Sequence, residues 1–151
     1  MKPVQTLSTI EKAIFLSELD LFKEVEADDL ALIAAKSMEY EFEVGDIVDK
    51  DSDISSSLHV IIKGNVEVSR NGVVLRQVLK GMFFGLGGLL GLMQNEEIKV
   101  LEPTHTIALS REDFKQTIAD DPEFALSMIR SVTAIALKIT KRLEALEKKS
   151  G

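Results

Sequence analysis

The sequence predicts a mainly β protein of the α+β class: a many-stranded antiparallel barrel, roll or sandwich between N-terminal helices and a long C-terminal helix. Three observations predict it. Apolar residues recur at helical spacing from Ser8 to about Lys36, and the period becomes two from Met38 to about Leu109. From Arg111 to about Lys148 it is helical again. Strand, helix and strand never alternate, so a Rossmann sheet is not expected. At 151 residues the chain reads as one domain, 1–151, with sections 8–36, 38–109 and 111–148. A chain of this length buries about 70% of its unfolded surface, which is enough without a disulfide or metal.

In the first section, "STIEKAIFLSEL" opens on a Ser/Thr cap, and Glu11 stands three residues after Ser8 as in a capping box. "LFKEV" comes next, and then "EADDLALIAAKSM", where Leu30, Ile33 and Ala34 share an apolar face. In the second section "MEYEFEV", "LHVII" and "NVEVS" alternate cleanly. Turn signals stand at Gly45-Asp46, Lys63-Gly64-Asn65 and Asn71-Gly72. Asn71-Gly72 lies between alternating runs and fits a type I′ hairpin. In the last section Ser110 caps a short helix and Asp121-Pro122 starts a long one. Phe124, Met128, Val132, Ile135, Ile139, Leu143 and Leu146 step by three or four along it. Packing on the β unit accounts for Phe124, Met128 and Val132. The helix, roughly 40 Å long, should outrun that unit beyond Ile135.

Composition narrows the function classes. The chain has no cysteine, which removes disulfide scaffolds, thiolate zinc sites and cysteine catalysis together, and it fits the cytoplasm. The N-terminus carries no long apolar region, so no signal peptide is read there. No apolar run approaches the ~20 residues that span a bilayer. Net charge is −7, from 25 acids and 18 bases, which argues against non-specific nucleic-acid binding. The basic run "LKITKRLEALEKK" is punctuated by glutamates and reads as a solvated helix face.

The order of elements and the local sequence resemble the cyclic nucleotide-binding domain family. "LFKEVEADDLALIAAKSMEYEFEVGDIV" is similar to that family's opening: a Leu-Phe, an acid-capped helix and a strand leading to Gly-Asp. "SLHVIIKGNVEVSRNGVVLRQVLKGMFFG" resembles its middle strands, with Ile-x-x-Gly-x-Val-x-Val at Ile61 to Val68. "LSREDFKQTIADDPEFALSMI" resembles the exit into the last helices. The resemblance covers nearly the whole chain and implies an eight-stranded antiparallel β-roll, jelly-roll-like, with helices at one side. It also implies a phosphate-binding cassette, Phe-Gly-Glu-Leu-Ala-Leu followed by Pro-Arg and a small or hydroxyl residue. In that cassette, glycines and a short helix aim N–H groups at a cyclic phosphate. A glutamate accepts from the ribose, and an arginine bonds the phosphate oxygens.

Residue by residue, the carry-over is incomplete. Residues 81–100 hold five of the nine glycines, but no Lys or Arg lies between Gly81 and Lys99. Phe84 and Gly85 match. Leu86 stands at the glutamate's place, and Gly87, Gly88 and Leu89 come after it with one leucine kept. The arginine's place falls on Asn95 counting forward from Phe84, or on Gln94 counting back from Phe114, and Glu96 and Glu97 come next. Losing a charged hydrogen bond removes ~1.5–3 kcal/mol. A carboxylate ~6 Å from the phosphate repels it by ~3 kcal/mol at an effective dielectric of 20. Together with the absent ribose partner, and without strict additivity, ~4–6 kcal/mol is three to four decades of affinity. A cation from elsewhere, such as Arg76 or a dimer mate's Arg142, would overturn this. Three glycines cost ~1 kcal/mol each in a helix, so the short cassette helix is expected frayed or absent. Leu86, Leu89, Leu90, Leu92 and Met93 are expected to fill the nucleotide's space.

Other constellations carry less. "DKDSDI" at Asp49 to Ile54 starts like a calcium loop, but Ile54 stands where glycine is required and Val60 where a bidentate glutamate is required. It reads as an acidic turn. His59 and His105 have no ligand-spaced neighbour, so no metal site is expected. No P-loop, nucleophile elbow or acid–base–nucleophile set can be assembled, so the chain is read as no enzyme and without a resident cofactor. Ile135, Ile139, Leu143 and Leu146 are read as a homodimer interface, which the resemblance also implies. The family's transcription factors place a helix-turn-helix after this helix; here the chain ends at Gly151, so DNA binding is not carried over. The reading is a non-enzymatic cytoplasmic regulatory or assembly module, often part of a larger or fused protein. It is expected not to bind cyclic AMP or cyclic GMP in the usual way. The alternative is a genuine sensor of a cyclic nucleotide or other small ligand, cradled by the amides of Gly85 to Gly88.

Overall fold

The period-two section builds two antiparallel sheets in the computed structural model, which describes residues 1–48, 56–92 and 95–150. The expected acidic turn at Asp49 to Ile54, together with Met93 and Gln94, lies outside the described residues. Strands β2 (Met38–Phe42), β3 (Ile47–Val48), β4 (Leu58–Lys63), β5 (Asn65–Arg70), β6 (Val73–Leu79), β7 (Phe83–Phe84), β8 (Glu96–Val100) and β9 (Thr104–Leu109) are the eight expected for a roll. A ninth, β1 (Lys2–Val4), adds to the edge of β2 with Pro3 opposite Tyr40. It is invisible to periodicity because three residues containing a proline show no period, and such strands form only at edges. One sheet runs β1-β2-β9-β4-β7 and the other β3-β8-β5-β6.

The turn residues act where expected. Asn71 and Gly72 both have positive φ, 52° and 78°, as a type I′ turn between β5 and β6 demands. Past that turn β6 holds one extra residue: Val68 faces Arg76 but Ser69 faces Val74, so Leu75 bulges. The bulge decides which face Arg76 occupies.

Among the described residues, five α-helices pack against this β unit: α1 (Thr9–Ser17), α2 (Ala27–Lys36), α3 (Leu86–Leu89), α4 (Arg111–Asp120) and α5 (Pro122–Ser150). The capping box at Ser8 forms in full, with the Glu11 side chain accepting in turn from the Ser8 amide. Ser110 caps α4 by accepting from the Asp113 amide. Two apolar clusters result. One gathers Leu30, Ile33, Ala34, Leu58, Leu89, Phe114, Phe124 and Met128 beneath the helices. The other fills the space between the sheets with Phe42, Val48, Ile61, Val66, Val68, Val78, Phe84, Ile98 and Val100.

Val132 corrects an expectation: it is exposed, and α5 buries nothing beyond Ser131. Ser131 is the last residue of the helix to dock, its hydroxyl accepting from the Glu24 amide at 3.1 Å. Beyond it only Ile135 is partly covered.

Two buried carboxyls behave oppositely. Glu39, 1% exposed, accepts from the Thr6 hydroxyl and the Thr6 and Leu7 amides, and it lies 2.9 Å from His105 Nε2. Burial alone would raise its pKa; the Thr6 and Leu7 donors and His105 together outweigh that and hold it below the usual range. Asp29 has no such set of donors. Burial, then the carboxyl of Asp121, then Glu26 and Asp28, push it up to about 6. For Asp29 the native state therefore binds the extra proton between the unfolded value of 3.8 and about 6. Its contribution to stability is full below that window and is lost as pH rises through it. Asp29→Asn, which keeps a neutral partner for Asp121, should stabilise the protein by about 1–3 kcal/mol at pH 8 and by far less near pH 4.5. Urea unfolding at both pH values checks this; an equal gain at both would contradict it.

Candidate functional site

The site begins at an aromatic anchor. Phe84 ends β7 stacked on His59, with ring centroids 4.8 Å apart and planes 5° apart. His59 is fully buried, lies 3.0 Å from the Thr106 hydroxyl and meets Phe42 and Tyr40 with the rest of its ring. Sequence reasoning gives this histidine no role. In the fold it is a packing and hydrogen-bonding residue that fixes where the glycine turn starts.

Gly85 comes next with φ 90°, and a Cβ there would run into the carbonyl of Ser57. Both facts restrict the position to glycine. The chain then forms α3, a single turn, which corrects the expectation of a frayed or missing helix. Leu89 N bonds Gly85 O at 2.9 Å and Leu90 N bonds Leu86 O at 3.1 Å. The glycine penalty is offset by tertiary contacts on two sides. Leu89 is buried in the helical core and Leu86 packs against it. Arg111, from the start of α4, donates its Nε to the Leu89 carbonyl at 3.3 Å and a terminal nitrogen to the Gly88 carbonyl. A cation at the C-terminal end of a helix satisfies its orphan carbonyls. The sequence distance of more than twenty residues hides this partnership.

The described leucines expected to fill the nucleotide's space divide into two pairs. Leu86 and Leu89 turn toward the helical cluster, while Leu90 and Leu92 are exposed. None of the four belongs to the cluster between the sheets, which holds Phe42, Phe84 and strand valines and isoleucines. Gly87 and Gly88 lie within the turn, and Asn95, exposed with φ 49°, leads into β8.

Glu96 is the largest departure from sequence reasoning, which treats it as a free acid that repels phosphate. It is only 14% exposed at its side chain and is bonded to Arg70 at 3.2 Å, with Arg76 at 3.8 Å. Cross-strand register explains it: Arg70 stands directly opposite Glu96, and Arg76 opposite Val68. Arg76 is one of the cations that the sequence offers from outside the cassette. Arg70 is not, because its place opposite Glu96 depends on the β5–β8 pairing.

Ile135, Ile139, Leu143 and Leu146 lie far along α5, the first partly buried and the other three exposed. Among the described residues no group of three or more His, Asp or Glu side chains is placed to hold a metal ion, and no helix is long and apolar enough to cross a membrane.

Residues 39–121 match the family profile described as the cyclic nucleotide-binding domain. The chain is 27% identical over 135 residues to cyclic nucleotide-gated channel alpha-4 of Mus musculus, covering 83% of this chain and 24% of the channel. It is 27% identical over 141 residues to glutaminase 2 of Bradyrhizobium diazoefficiens, covering 93% of this chain and 22% of that protein. It thus spans under a quarter of the length of these curated relatives. The N-terminal domain of a transcriptional regulator from Streptomyces coelicolor superposes with a TM-score of 0.70 at 21% identity, over 84% of this chain and 95% of that one.

Gly85→Ala should cost about 2–4 kcal/mol, because left-handed strain and the clash with Ser57 act together. Chemical denaturation measures it; an unchanged midpoint would show that the turn is free to relax.

Proposed function

The chain belongs to the cyclic nucleotide-binding domain family, and we propose that it is a non-enzymatic regulatory or assembly module that does not take cyclic AMP or cyclic GMP in the family's usual way. The observation that carries this is the charge of the cassette. Leu86 stands at the ribose acceptor's place, Gln94 and Asn95 at the arginine's, and Arg111 is committed to the carbonyl end of α3, away from its amides. An anion at the amide end would meet dipoles but no cassette cation, and Glu96 already engages Arg70 and Arg76. Residues 1–151 act as one unit in this reading, in the cytoplasm, and without a resident cofactor or DNA contact of their own.

A second reading, a genuine small-ligand sensor that regulates a partner or fused protein, is favoured by one observation: two arginines do reach the inner face of the roll. The long relatives support a fused setting, since one is a channel and another an enzyme of which a comparable segment is only a part. Calorimetry of the chain with cyclic AMP, cyclic GMP and cyclic di-nucleotides separates the readings. No heat up to about 100 μM is expected; a low-micromolar affinity would establish the sensor.

The exposed stripe Ile139, Leu143 and Leu146, continued from Ile135, supports homodimerisation through α5. Light scattering should give the mass of a dimer, and Ile139→Glu with Leu143→Glu should give a monomer with unchanged roll stability. A wild-type monomer at high concentration would remove the interface.

A further inference from the structure

Three strands of the second sheet carry the relevant residues. Val66 and Val68 of β5, Val78 of β6 and Ile98 and Val100 of β8 all belong to the cluster between the sheets. Side chains two apart on a strand share a face, and so do cross-strand partners. Arg70 is two residues beyond Val68 and is paired with Glu96. Glu96 is two residues before Ile98, and Arg76 is paired with Val68. All three charged groups therefore lie on the inner face, where its apolar floor ends. Val73, the partner of Arg70, continues that face as an exposed apolar side chain.

The arginine side chains are 47% and 44% exposed while Glu96 is 14% exposed. The carboxylate is thus the inner member and the guanidinium groups are its solvent-facing cover. Two planar guanidinium groups converging on one anionic group is the arrangement that recognises a carboxylate or a phosphate. Here the anion is supplied by the chain itself, at the first residue of β8, where the segment after α3 rejoins the sheet.

We propose that Arg70 and Arg76 form an anion site on the inner face of the roll, and that Glu96 occupies it as a tethered substitute for a ligand's phosphate. The ligand class is a small phosphate-bearing molecule with an apolar body that can rest against Val73. The inference rests on the reading that this roll is a ligand scaffold whose cassette lacks its own cation. It adds that the missing charge is present elsewhere and is self-quenched.

The test uses the full chain with Glu96→Gln, which keeps the shape of the side chain and removes its charge. Wild type and variant are titrated by calorimetry at low salt with inorganic phosphate and with cyclic AMP. The expected result is a gain of at least about tenfold for either probe in Glu96→Gln, abolished by adding Arg70→Gln or Arg76→Gln. A gain for both probes identifies a site for the phosphate group alone; a gain for cyclic AMP only shows that the apolar body is needed. A smaller gain in the folded variant, or a gain that survives both arginine substitutions, overturns the proposal. Should Glu96→Gln unfold the roll, Glu96→Thr, which suits a strand and also removes the carboxylate, is titrated in its place: the same tenfold gain supports the site and its absence in that folded variant overturns it. The wild-type titration separately judges the cassette reading. Tight binding of cyclic AMP by the wild type would defeat that reading whether or not Glu96→Gln binds more tightly still.

Discussion

The chain has to bury one face of each of its two sheets against the other, and the geometry of the site depends on that constraint. Alternation places Val66, Val68, Val78, Ile98 and Val100 inside. A slip of one residue in any of these strands would turn its valines outward, so the register is strongly held. The strand ends are then fixed as well. Arg70, Arg76 and Glu96 face inward because their neighbours do, and the Leu75 bulge restores the alternation on β6 after the hairpin. A charged group near an apolar floor must find a partner. Each of the three finds one in the others.

The cassette is held by different forces. Its start is positioned by the His59–Phe84 stack and by a glycine pressed against the Ser57 carbonyl. Its end is held by Arg111 on the Gly88 and Leu89 carbonyls. A four-residue helix with two glycines has almost no stability of its own. Its persistence is tertiary, and the cation that helps to hold it is used on the carbonyl side, where it offers nothing to an anion at the amides.

Much of the fold is legible in the sequence because its signals are local. The Ser8–Glu11 box, the Asn71-Gly72 turn and the period of "NVEVS" each lie within a few residues, and each forms as expected. The resemblance to a known family joins these pieces into an eight-stranded roll. The misses share a different character. The Arg111 contact and the Arg70–Glu96 pair join residues more than twenty positions apart, so neither leaves a trace in spacing. Val132 keeps the helical period of its buried neighbours although it is itself exposed. Periodicity tells which face of a helix is apolar; it does not tell where the surface beneath that face ends.

The near-complete exposure of α5 after Ser131 has a mechanical consequence. The remaining nineteen residues extend about 28 Å from a base clamped by Phe124 and Met128. A tilt of about 10° at the clamp would sweep the far tip through about 5 Å, which is a full helical turn. Any repacking beneath the first turns of α5 would therefore be magnified by leverage at its far end.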